Sequence, residues 1–124
     1  MIPAIILTAT TKDNKGTYEE FFAWQELIDI LDESGRYWTE VEGSYKGDTE
    51  AAAMLSSTDI DQWLEVAKKF NQESILFVDN VGKAMLIYTN GTSEPIGHWE
   101  AVPERVAFNH DSWTKDGDQY YICL

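Results

Sequence analysis

Cysteine is nearly absent: Cys123 stands alone in 124 residues. One thiol makes no intrachain disulfide and no cysteine-built zinc site, and the usage fits a reducing cytoplasm. Long apolar runs are missing too. Nowhere do about 18 apolar residues follow one another, as a membrane-crossing helix needs. The opening run Met1-Ile2-Pro3-Ala4-Ile5-Ile6-Leu7 lacks a basic flank and passes straight into Thr8-Ala9-Thr10-Thr11-Lys12-Asp13, so it reads poorly as a secretion signal. Basic residues are scarce, with 9 Lys+Arg against 22 Asp+Glu and a net charge of −13. Such a surface repels phosphate backbones and anionic lipid, which disfavours nucleic acid and membrane as partners. Catalytic signatures are lacking as well. There is no Walker loop, no G-x-G-x-x-G and no G-x-S-x-G, and Cys123 is too terminal to read as a nucleophile. Repeats, linkers and low-complexity tracts do not occur.

What is present reads as one domain over residues 1–124. Hydrophobic residues are 44% and charged residues 25%, which argues for a globular chain. At this length roughly two-thirds of the unfolded surface is buried, enough for a true core. Acidic residues divide evenly, eleven in 1–58 and eleven in 59–124, so the acidity belongs to the whole surface.

Ile2 to Ala9 is an apolar, β-prone run that suits a strand covered on both faces. Thr17 and Glu20 have capping-box spacing ahead of a helix over about 18–33, with Phe21, Trp24, Leu27, Ile28 and Leu31 as its buried stripe. Arg36 to Glu42 alternates as a strand, Gly43 to Asp48 reads as a turn, and Glu50 to Ser56 is an alanine-rich strand for which helix is the alternative. Ser57 or Thr58 caps a second helix over about 59–71, with Ile60, Trp63, Leu64, Ala67 and Phe70 inward. Ser74–Val78 and Ala84–Tyr88 are strands joined as a hairpin. Another lies around Pro95–Val102 beyond the Asn90-Gly91 turn. Pro103 opens a short helix through Phe108, and Tyr120–Leu124 is a terminal strand.

This order predicts an α+β fold. Its sheet is mixed or mostly antiparallel, with two helices on one face of a ferredoxin-like β-α-β-β-α-β core and a C-terminal β extension. Ile75 and Phe77 point one way and Leu76 and Val78 the other. The second face is therefore expected to lie under the tail, through Trp99, Phe108, Trp113 and Tyr121.

Glu26, Asp29 and Glu33 fall at i, i+3 and i+7 on the outer face of the first helix. Like charges at that spacing weaken a helix, so they serve either solubility or the docking of a basic partner, to which a carboxylate array imitates DNA. Glu40 and Glu42 share a strand face with Trp38, which is either core or an exposed anchor in an acidic rim. His98 and His110 lack metal-ligand spacing.

The stretch Gly43-Ser44-Tyr45-Lys46-Gly47, with Leu64-Glu65-Val66-Ala67-Lys68-Lys69-Phe70-Asn71-Gln72-Glu73-Ser74-Ile75, resembles a family of small uncharacterised bacterial and phage α+β proteins. In these, a helix ending Ala-Lys-x-Phe-x-Gln enters an apolar strand. The resemblance covers about residues 36–90. It implies a compact, phage-type modulator of a host protein and carries no catalytic residues. The resulting expectation is a cytoplasmic, non-enzymatic acidic protein, without cofactor or metal. It engages a basic host protein through Glu26, Asp29, Glu33, Trp38, Glu40 and Glu42. The alternatives are a small enzyme or metal-dependent catalyst using sheet carboxylates and His98, and an oligomerising accessory protein.

Overall fold

A computed structural model describes residues 1–124. The elements run β1 (Ala4–Leu7), α1 (Tyr18–Ser34), β2 (Trp38–Tyr45), β3 (Asp48–Ser56), α2 (Ile60–Lys69), β4 (Ser74–Val78), β5 (Lys83–Tyr88), β6 (Ser93–Val102), α3 (Glu104–Ala107), β7 (Ser112–Asp116) and β8 (Gln119–Cys123). The eight strands form a closed antiparallel barrel in the order β1-β3-β2-β7-β8-β6-β5-β4, with β4 pairing back on β1.

This corrects the ferredoxin-like α+β expectation. The strands after α2 do not lie across the second sheet face as an extension. They continue the ladder from β4 through β5, β6 and β8, and β7 joins it to β2. The physical gain is the removal of both sheet edges, whose free N–H and C=O groups are the liability of an open sheet. The β7 strand, Ser112–Asp116, carries almost no apolar signal and escapes a reading based on periodicity.

Closure turns the alternation of the strands into an inner and an outer layer. Ile6, Val41, Ala52, Val78, Ala84 and Trp99 pack together inside, with Leu76 and Tyr121 against them. Trp99 stacks on Tyr121 at 4.9 Å between centroids and 12° between planes. The opposite faces contribute Ile5, Leu7, Ala53, Leu55, Ile75 and Ile87, which meet Leu27 and Leu31 of α1 and Trp63 and Ala67 of α2. A third cluster places Ala107 of α3 on Tyr120 and Ile122 of β8. Phe108 and Trp113 therefore pack outside the barrel with Tyr120, whereas Trp99 and Tyr121 fill it.

Local chemistry sets the element ends. Lys46 and Gly47 both take positive φ, 51° and 87°, which makes the two-residue turn that lets β2 and β3 pair almost to their tips. Asp59, not Ser57 or Thr58, caps α2 by accepting from the Gln62 amide at 3.2 Å. Thr17 occupies the N-cap of α1 without a capping hydrogen bond from its side chain, and Glu20 reaches past it to the Gly16 amide. Phe21, expected inward, is exposed beside Tyr18 and Phe22. No helix is long and apolar enough to cross a membrane.

Candidate active site

A concavity of about 1250 Å³ opens where β1 ends and β3 and β4 begin. One wall is the segment Thr10–Asn14 that follows β1. Glu19, Ala23 and Glu26 of α1 form the second, and the chain leaving α2, from Lys69 to Ser74, forms the third. Tyr45 and Glu50, beside the β2–β3 turn, and Tyr88 of β5 complete it.

The α2 exit shows how sequence builds this place. Ala67 and Phe70 are buried against the barrel. Asn71 then adopts a left-handed conformation, φ 58°, and the Gln72 amide closes onto the Ala67 carbonyl at 3.0 Å. This is the helix-ending geometry that asparagine tolerates and most residues resist. It turns Gln72 so that its side-chain amide donates to the Thr10 carbonyl at 2.9 Å, tying the α2 exit to the wall after β1. The Ala-Lys-x-Phe-x-Gln pattern is thus a packing and capping device that sets Gln72 and Glu73 at the cleft.

Charge is concentrated there. Asp13, Glu19, Glu26, Glu50 and Glu73 line the opening together with Lys12 and Lys69. Lys69 pairs with Glu26 at 2.8 Å, bridging α2 to α1, but both side chains are solvated, so the pair adds little stability. Glu50 is the unusual carboxylate. Its residue surface is open to solvent, yet the protein around its carboxyl raises its pKa by desolvation. Nearby Lys15 opposes that rise and Glu20 adds to it. A glutamate whose pKa is raised in this way, in a polar cleft, is a stronger base than an ordinary surface carboxylate and is suited to accept a proton.

A second cavity, about 430 Å³, lies at the other end of the barrel and is mostly apolar. Tyr37, Met54, Trp99 and Tyr121 line it, with Asp116 as its one charged side chain.

Of the residues singled out from sequence, Glu26 reaches the large cleft. Asp29 and Glu33 are exposed farther along α1, and Glu40 and Glu42 are exposed on β2, outside it. Trp38 packs against the core beneath the helices and donates its indole N–H to Asp32 at 2.9 Å, so its ring belongs to the core edge. His98 sits at the far end from the large cleft, between Glu100 (2.8 Å) and the Val81 carbonyl (2.7 Å). No three His, Cys, Asp or Glu side chains come together as a metal-binding group. Glu50, Gln72 and Glu73 escaped the sequence reading. The signal that could have found Glu50 is an acid in an otherwise alanine-rich strand, directly after a tight turn.

The model of the S-adenosylmethionine lyase family matches residues 5–124. The chain belongs to the S-adenosylmethionine lyase family. No curated protein matches it. The lyase match replaces the resemblance to uncharacterised phage and bacterial proteins, and it extends over the first helix and the last strands, which that resemblance omitted. It also corrects the expectation of a non-enzymatic acidic modulator or DNA mimic, because a lyase family is a family of enzymes. The alternative of a small enzyme is the better reading.

Proposed function

We propose that this protein cleaves S-adenosylmethionine in the cleft between α1, the α2 exit and the start of β3. The observation that carries the reading is Glu50, a carboxylate with a raised pKa in the polar cleft of a chain matched to a lyase family from residue 5 to its last residue. The substrate is a zwitterionic amino acid carrying a sulfonium, hence a net cation near neutral pH. The acidic cleft attracts the sulfonium and ammonium, and the lysines Lys12 and Lys69 suit the substrate carboxylate. Tyr45 and Tyr88 offer ring faces to the purine.

A lyase breaks the carbon–sulfur bond without water or a redox partner. The bonding pair leaves with sulfur, which becomes a neutral thioether. The carbon fragment is completed either by loss of an adjacent proton or by closure of the substrate's own carboxylate onto carbon. In the first route Glu50 takes the proton. In the second it orients the chain so that the substrate carboxylate lies in line with the breaking carbon–sulfur bond. Either way the cation is discharged in the transition state, so the carboxylates serve binding and Glu50 serves positioning or proton transfer.

The test is incubation with S-adenosylmethionine in ¹⁸O-water, with products read by mass spectrometry. The reading expects a thioether and a partner fragment free of solvent oxygen. It also expects Glu50→Gln to lose on the order of 100-fold in kcat while remaining folded. Solvent oxygen in the initial product would make the enzyme a hydrolase, and an unimpaired Glu50→Gln would remove Glu50 from the mechanism.

A further inference from the structure

We infer that Glu20 is a positioning residue that clamps the segment from Thr10 to Gly16 into the cleft wall and so sets how tightly substrate is held; this rests on the lyase reading of the cleft. The geometry is specific. Glu20 lies in the first turn of α1 and uses both carboxylate oxygens. Oε2 accepts from the Thr10 hydroxyl at 2.7 Å, and Oε1 accepts from the Gly16 amide at 3.0 Å. One side chain thereby joins the two ends of the segment that forms the wall.

The Thr10 end is fixed from three directions. Its residue is 3% exposed, its hydroxyl also accepts from the Trp24 indole N–H at 2.9 Å, and its carbonyl accepts from Gln72 at 2.9 Å. The Trp24 bond leaves the Thr10 hydroxyl proton free to point at Glu20, so the carboxylate must be an acceptor there. Between the ends, Thr11 and Asn14 exchange backbone-to-side-chain bonds of 2.7 and 3.0 Å, which shape the tip. Near the Gly16 end, the Lys15 ammonium donates to the Thr49 carbonyl at 2.5 Å, directly before Glu50. Glu20 therefore governs three things at once: the wall that carries Lys12 and Asp13, the reach of Lys15, and the charge around Glu50.

Helix capping does not account for this. A capping-box glutamate bonds the N-cap amide, whereas here the Thr17 amide donates to the Asn14 carbonyl at 3.0 Å and Glu20 bonds elsewhere. Glutamine keeps the size of Glu20 but places a donor against one of its two donors, and alanine removes both bonds.

The experiment compares wild type, Glu20→Gln, Glu20→Ala and the surface control Glu33→Gln. Amide hydrogen exchange at Gly16 reads the clamp, and kcat and KM for S-adenosylmethionine read its consequence. Glu20→Ala should speed Gly16 exchange and raise KM by about tenfold each, with kcat within about threefold and the denaturation midpoint close to wild type. Glu20→Gln should shift both in the same direction by less. A Gly16 amide untouched by either variant overturns the clamp, as does faster exchange with an unchanged KM. A wild-type protein that leaves S-adenosylmethionine intact overturns the lyase reading instead, while the exchange data still judge the clamp.

Discussion

Single residues carry opposite signs for stability and function. The folded-state pKa of Glu50 is raised by desolvation, so the native protein holds its proton more tightly than the unfolded chain does. Above the ordinary glutamate range, ionising it therefore costs the folded state. Glu50→Gln is expected to unfold at a higher denaturant midpoint at neutral pH, with the gain fading as pH falls below that range, even as catalysis is lost. Urea titrations at several pH values check this, and an unchanged or lower midpoint at neutral pH contradicts it. His98 shows the opposite dependence. Both of its partners, the Val81 carbonyl and the Glu100 carboxylate, are acceptors, so satisfying both requires the imidazolium. These bonds, the Val81 one first, raise its pKa. Its stabilisation is complete below the unfolded histidine value and is lost as pH rises through the higher folded value. Replacing His98 with Gln should flatten the stability profile across that window, as read by melting temperature against pH. Glu50 was illegible from sequence because a carboxylate becomes unusual through what surrounds it, and its neighbours Lys15 and Glu20 lie 35 and 30 positions away.

Elements were legible where periodicity is strong. The α2 stripe of Ile60, Trp63, Leu64, Ala67 and Phe70 all reaches the core beneath the helices. Trp63→Ala should cost roughly 3–5 kcal/mol, as large-to-small core changes do. Trp63→Phe should cost less than that, because the indole N–H of Trp63 is buried without a partner and its removal relieves an unsatisfied donor. Chemical denaturation of the two variants decides the order. The α1 stripe was overread: Trp24, Leu27 and Leu31 pack inward, but Phe21 and Phe22 make an edge-to-face pair at the surface. A period of 3.6 says which residues share a face, not how far along the helix the barrel reaches. The α2 exit rests on backbone conformation. Asn71→Ala should destabilise by about 1–2 kcal/mol through its left-handed φ, while Asn71→Gly should not.

At the scale of the whole molecule, the sequence reading missed closure. The apolar residues on both faces of β4 predict a covering tail. A barrel satisfies the same pattern by wrapping the sheet onto itself, and which of the two occurs depends on long-range pairings such as β2 with β7 that leave no local trace. The net charge of −13 also acquires a different use. A field of that sign gathers a cationic sulfonium, so kcat/KM should fall as ionic strength rises, with kcat nearly constant. The central claim is that the substrate sits in the polar cleft at the α2 exit and not in the apolar cavity at the opposite barrel end. The most direct test is a backbone amide NMR titration of Glu50→Gln, the slowed variant, with S-adenosylmethionine. Shifts are expected at the cleft walls: Thr10–Asn14, the α1 face from Glu19 to Glu26, the β2–β3 turn through position 50, Lys69–Ser74 and Tyr88. Shifts centred instead on Tyr37, Trp99 and Tyr121 would contradict it.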